Sequence, residues 1–176
     1  SILSKLKGRD TLFGLTYNMN LYRGCQHGCI YCDTRSDCYG IGDISKISVK
    51  KNALELLARQ LKSKRVKGTI GTGSMNDPYM PLESGVKLTR GALELIGGAR
   101  FPVHISTKGA LVRRDTDLLK EISKTYAAVS FTITAADDSL ARKLEPNASL
   151  SSARFKAMSE LAKQGIYTGV TLMPMM

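Results

Sequence analysis

Past residue 40 the hydrophobic positions alternate between two periods. The stretch KKNALELLARQLKS places Leu54, Leu57 and Leu61 at helical spacing. VKGTIGTGS reads as a strand ending in glycines, and LTRGALELIGGAR as a helix stopped by Gly97 and Gly98. FPVHISTK is a strand, RRDTDLLKEISKTY a helix with acids in its first turn, and AAVSFTIT a strand. SSARFKAMSELAKQG is a helix with serines at its start and Gly165 after its end, and IYTGVTLM is a last strand. This repeated order predicts βαβ units on a parallel sheet, hence an α/β fold. Right-handed crossovers leave either a curled barrel or an open doubly wound sheet. TYNMNLYRG precedes these units as the first strand.

Two strands carry a polar face. Counting by twos groups His104, Ser106 and Lys108 in one strand, and Ser130, Thr132 and Thr134 in the next. A purely structural parallel strand would be more uniformly apolar, so the polar faces suggest an interior that holds a polar ligand. His104 itself reads as a satisfied core histidine, and Asp77 in NDPY as either a turn residue or a site group.

The chemistry concentrates after the first strand. RGCQHGCIYC sets Cys25, Cys29 and Cys32 in a C-x₃-C-x₂-C pattern, in the loop where parallel α/β folds place their sites. The fourth cysteine, Cys38, follows six residues later, and the chain has no other. Four cysteines so close together cannot tie distant segments, as a secreted disulfide scaffold would. They read as a metal site in a reducing, cytoplasmic compartment. One zinc held by all four is one arrangement. The other is a 4Fe–4S cluster held by three, which leaves one iron open to a ligand's amine and carboxylate.

The chain has 176 residues and a net charge of +11. No apolar run approaches the ~20 residues of a membrane span, so no membrane partner is expected. Residues 1–67 hold 13 Lys and Arg against 5 Asp and Glu, with the densest patch at KSKRVK. That excess either attracts nucleic acid or marks solvated helix ends.

C-x₃-C-x₂-C with Tyr31 before the last cysteine, at the head of a β/α chain, resembles the radical S-adenosylmethionine superfamily. NLYRGCQHGCIYCDTR, GTGSMNDPYMPLE, HISTKGALVRRDTDLL and LEPNASLSSARFKAMSELAKQGI resemble, in that order, its branch related to spore photoproduct lyase. The resemblance spans nearly the whole chain. It implies a partial (β/α)₆ TIM-like barrel over residues 1–176, ending after about five strands, with the C-terminal part of the barrel missing. It implies reductive cleavage of S-adenosylmethionine to a 5′-deoxyadenosyl radical, an unnamed substrate, and a reductant such as flavodoxin or ferredoxin.

By the same resemblance Cys25, Cys29 and Cys32 hold the cluster, and Tyr31 lies near the adenine. Gly71, Thr72, Gly73 and Ser74 receive the methionine amino group. Ser106 and Lys108 meet the carboxylate or ribose, Ser130 and Thr132 lie near the ribose, and Arg154 pairs with the carboxylate. The chain carries Ser74 in the neighbourhood where the lyase has a hydrogen-donating cysteine, so the same repair route is not implied.

Overall fold

The computed structural model describes residues 2–175. The chain begins with β1 (Leu3–Lys5) and β2 (Leu15–Met19), an antiparallel pair that sets Lys5 opposite Tyr17. A short ribbon of β3 (Tyr22–Arg23) and β4 (Ser48–Val49) brackets the cysteine region. The alternation follows: α1 (Ala53–Ser63), β5 (Thr69–Thr72), α2 (Glu83–Val86), α3 (Leu88–Gly98), β6 (Val103–Thr107), α4 (Thr116–Ile122) and β7 (Ala127–Thr132). It closes with α5 (Asp138–Leu144), α6 (Ser151–Lys163) and β8 (Tyr167–Thr171).

The main sheet runs β1-β2-β5-β6-β7-β8, parallel from β2 onward. Five parallel strands in sequence order, each crossover bearing helix, make a partial TIM-like barrel. The antiparallel β1 gave no period-2 signal, because only three of its residues pair.

One face of β5, β6 and β7 packs under the helices. Ile70, Val103, Ile105, Val129 and Phe131 are wholly buried there, against Leu57, Leu93, Ile96, Leu119, Ala157 and Leu161. Each large aliphatic or aromatic side chain so placed stabilises the fold by about 1.5–3 kcal/mol. The opposite face carries the polar positions.

α3 ends at Gly98, as the two glycines implied, and Arg100 beyond it takes the left-handed φ of 55°. A methyl group on Gly97 would come within 3.2 Å of Ile122, so this glycine serves the close approach of α4. The serines at the head of α6 do not cap that helix. Ser151 donates to the Ala135 carbonyl, 2.6 Å away, and Ser152 to Asp138. Gly165 does follow the helix with φ of 78°.

Candidate active site

The strand ends and the cysteine loop enclose one continuous hollow. A recess of about 110 Å³ is lined by Cys25, Cys29 and Cys32 together with His27, Asn76 and Asp77. It shares Gly73, Ser74, Ser106, Lys108 and Thr132 with a wider cleft of about 600 Å³. Tyr31, Gly71 and Thr72 line the cleft, whose far walls are Phe13, Leu15 and His104. The motif cysteines and the polar strand faces therefore meet in space. Cys38 lies outside the recess, exposed, with its thiol 3.4 Å from Ser36 Oγ.

The cysteine loop is gripped by three segments. Cys25 N–H donates to the Ile44 carbonyl at 2.9 Å. The Gln26 side chain accepts from Leu82 N–H at 2.6 Å, and His27 Nε2 lies 3.1 Å from Asp77 Oδ2, off the line of a good hydrogen bond. On the third side Ile30 N–H donates to Leu144 O at 2.9 Å, and Asn147 bonds to the carbonyls of His27 and Gln26. Gly24 makes the entry possible. It has φ of 86°, and a Cβ there would sit 2.7 Å from the Ile44 carbonyl.

Burial sets the thiol chemistry. It pushes the Cys25 thiol up to about 11, with Asp77 adding in the same direction. Burial raises Cys29 too, although Lys108 opposes it. Three thiolates gathered in this recess need compensating positive charge, which iron ions supply. The donor set fits an iron–sulfur centre on that ground. Asp77 shows the opposite balance. Burial would raise its carboxyl, but His27, Lys108 N–H and the Thr107 hydroxyl hold it well below the usual carboxylate range.

Lys108 follows β6 and its ammonium stands 5.7 Å from the centre of the Tyr31 ring, with no salt bridge among the described residues. A half-buried cation at the edge of the cysteine recess is suited to an incoming carboxylate. Ser106 and Thr132 face the same cleft from neighbouring strands.

Two expected contacts go elsewhere. Arg154 has 0% exposure and does not line the cleft. Its guanidinium is spent on Glu145, on the Ser149 carbonyl at 2.7 Å and on the Thr132 carbonyl at 2.7 Å. It serves as an internal brace instead of a cofactor-carboxylate clamp, because α6 aims it at the strand end and not at the hollow. Ser130 Oγ is taken by His104 Nε2, 2.8 Å away, so β7 offers Thr132 to the cleft and Ser130 to the histidine. His104 is satisfied, as its sequence context implied, but it also lines the cleft beneath a stacked Phe13 ring 4.1 Å away.

Sequence reasoning missed Glu145, Gln26, Asn147 and Phe13. Glu145 accepts from Tyr31, Thr134 and Arg154, and these hydrogen bonds outweigh burial to hold its carboxyl below the ordinary value. Its one local signal was an acid before proline in LEPN, which reads equally as a helix end.

A family model described as the radical SAM superfamily matches residues 19–176. The chain belongs to the radical SAM superfamily. Among curated relatives, an uncharacterised protein of Methanocaldococcus jannaschii is 37% identical over 156 residues, covering 87% of this chain and 58% of that one. The radical SAM Nalpha-GlyT isomerase of Pseudomonas phage M6 is 27% identical over 150 residues, covering 85% of this chain and 31% of the phage protein. Spore photoproduct lyase complexed with dinucleoside spore photoproduct superimposes with a TM-score of 0.72 at 18% identity, over 95% of this chain and 48% of the lyase. A variant of that lyase with bound AdoMet aligns with a TM-score of 0.67 at 19% identity, over 91% of this chain and 46% of the variant. The chain spans about half the length of the curated relatives it matches. Among the described residues no helix is long and apolar enough to cross a membrane.

Proposed function

We propose that this radical SAM domain, taken over the whole chain, holds a 4Fe–4S cluster on Cys25, Cys29 and Cys32 and cleaves S-adenosylmethionine reductively. The observation that carries this reading is the hollow shared by the three thiols, the glycine-rich end of β5 and Lys108, which makes no salt bridge among the described residues. The cluster and cofactor together would supply one-electron cleavage to methionine and a 5′-deoxyadenosyl radical that takes a hydrogen atom from substrate.

The chain's own residues do the positioning. Gly73, with φ of 103°, turns the backbone at the end of β5 and lets it pass close against the Ser106 carbonyl of β6 at the rim of the cysteine recess. Lys108 stands ready for the carboxylate, and Ser106 and Thr132 offer hydroxyls to the sugar. Tyr31, held by Glu145, lines the cleft where the adenine would lie. Anaerobic reconstitution followed by dithionite and S-adenosylmethionine tests this. About four irons per chain and release of 5′-deoxyadenosine support it, whereas an iron-loaded protein that binds no S-adenosylmethionine overturns it.

A nucleic-acid substrate is the reading favoured next. Lys5, Lys7, Lys64, Arg65 and Lys67 gather about β1 and the segment after α1, where Tyr17 lies under Lys64 and donates to the Val66 carbonyl. None of them makes a salt bridge among the described residues. The solved lyase is complexed with a dinucleoside spore photoproduct, which gives the same direction. Filter binding to DNA and RNA should fall steeply with salt. A flat response removes this reading.

A further inference from the structure

We propose that Asp77 is a positioning residue: its carboxylate ties the end of β6 to the turn that grips the cysteine loop, and so fixes where Lys108 stands relative to the three thiols. This rests on the cluster reading above for its purpose, and it assigns the group that sets the span of the site.

Asp77 follows β5, is 7% exposed and lines the recess of the thiols. Its Oδ1 accepts from Tyr79 N–H at 2.8 Å and from the Thr107 hydroxyl at 2.7 Å. Its Oδ2 accepts from Lys108 N–H at 2.6 Å and lies 3.1 Å from His27 Nε2. An aspartate that only shaped its own turn would need the bond to Tyr79 alone. The other partners lie on two further segments, the end of β6 and the cysteine loop.

The turn that carries Asp77 is fixed to the loop on both flanks. Asn76 donates to the Tyr22 carbonyl at 2.8 Å, and Leu82 N–H to the Gln26 side chain at 2.6 Å. The sheet does not supply the matching tie to β6. The ladder between β5 and β6 stops at the pair of Thr72 and Ile105, short of Thr107. Past that pair the Asp77 carboxylate holds both Thr107 and Lys108. Gly109 lets the chain pass close to the turn, since a Cβ there would sit 2.5 Å from the Tyr79 carbonyl oxygen.

The chemistry of the partners calls for a carboxylate. Tyr79 and Lys108 offer backbone N–H groups. The Thr107 hydroxyl accepts from Gly109 N–H at 2.8 Å, which turns its own proton to Asp77. An amide in place of the carboxylate would set its NH2 against one of these donors. The carboxylate also takes the lysine by its backbone and leaves the ammonium alone, because Lys108 makes no salt bridge among the described residues. A lysine stem is long and flexible. Anchoring its N–H bounds where the ammonium can reach, while its charge stays free for an incoming carboxylate.

The test is a double-mutant cycle on the reconstituted protein, with S-adenosylmethionine as probe and affinity read by calorimetry. Asp77→Asn should keep the iron and weaken binding roughly tenfold. Lys108→Ala should weaken it by at least as much, and the double variant should be no weaker than Lys108→Ala alone, because the aspartate acts through the lysine. A merely structural loss would multiply the two factors. Thr107→Val runs the same cycle with the charge retained, and should weaken binding roughly threefold only where Lys108 is present. It carries the cycle if Asp77→Asn takes up no iron. Amide exchange reads the tie without the cofactor: at Lys108 it should be roughly tenfold faster in Asp77→Asn and roughly threefold faster in Thr107→Val, and unchanged at Ile105.

Parent affinity in both variants, factors that multiply in the cycle, or exchange at Lys108 at the parent rate would each overturn the proposal. An iron-loaded parent that binds no S-adenosylmethionine sinks the functional reading instead. The exchange rates at Lys108 still decide the tie in that case.

Discussion

Arg154→Met separates a brace from a cofactor clamp. In the folded chain the guanidinium satisfies Glu145 and two carbonyls in a fully buried position. Methionine leaves the Glu145 carboxylate with Tyr31 and Thr134 but no cation. The carboxyl can escape by taking a proton. From an ordinary value of 4.5, neutralising it at pH 7 costs about 3.4 kcal/mol at about 1.36 kcal/mol per pH unit. That figure caps the charge contribution. Losing the donors to the Ser149 and Thr132 carbonyls adds about 1 kcal/mol each, partly offset by the packing of the methionine. The expected loss is therefore about 3–5 kcal/mol at pH 7, in the range known for breaking a buried pair from one side.

The sign with pH follows from the two folded states. In the parent, Glu145 is held below its ordinary value, so its contribution is complete above the unfolded value and is lost only on further acidification. In Arg154→Met the folded carboxyl is raised, so that variant loses stability as pH rises. Between pH 5 and pH 7 the gap between parent and variant should widen by about 2.7 kcal/mol. Adding Glu145→Gln removes the charge and should recover about 2–3 kcal/mol at pH 7, leaving the carbonyl cost. Urea unfolding of the four chains of this cycle at pH 5, 6 and 7 is the assay. A pH-independent gap, or no recovery in the double variant, refutes the buried-pair reasoning. Full stability with weakened S-adenosylmethionine binding would restore the clamp.

Cys25→Ala, Cys29→Ala and Cys32→Ala should each abolish the iron, while Cys38→Ala keeps it, as read by iron and sulfide analysis; loss in Cys38→Ala alone would refute the three-thiol set. Lys108→Ala should weaken S-adenosylmethionine by about 1–3 kcal/mol with the cluster intact, measured by calorimetry. Gly73→Ala places a methyl group 2.0 Å from the Ser106 carbonyl oxygen at φ of 103°. It should cost roughly 3 kcal/mol or more, and an unchanged melting curve would show that β5 and β6 part easily.

The alternation of periods made the parallel units legible, because α1, α3 and α6 each bury a face at helical spacing and β5, β6 and β7 are buried between them and the site. The cysteine loop was legible by spacing alone. Glu145 and Arg154 were not: Arg154 shares the buried face of α6 with Ser151, Ala157 and Leu161, but that spacing does not reveal a partner nine positions back. Their meeting depends on how α5 turns into α6. Arg154 looked like a free fork because sequence shows the charge and hides its partner. Ser130 and Thr132 share a face, yet His104 takes the hydroxyl of the first. A period-2 count identifies the face but not the competing partner across the strand pair.

Two buried networks end on the cysteine loop from opposite sides, and they share a chemistry. Tyr22 precedes the loop and donates to Glu83, which Arg114 pairs at 2.7 Å. Tyr31 lies within the loop and donates to Glu145, which Arg154 pairs. Both glutamates are essentially unexposed. Apolar residues of similar volume could hold the same elements together at equal or lower cost, since desolvating an ion pair consumes much of its attraction. They would not fix a hydroxyl at one point, because dispersion contacts have no direction. A tyrosine bonded to a carboxylate whose other side is occupied by arginine has one satisfied position. The ring of Tyr31 then stands where Lys108 can lie over it, and the loop that carries the thiols inherits that placement. Charge buried at both ends of the loop thus secures geometry at the site at the expense of what a hydrophobic core would offer in stability.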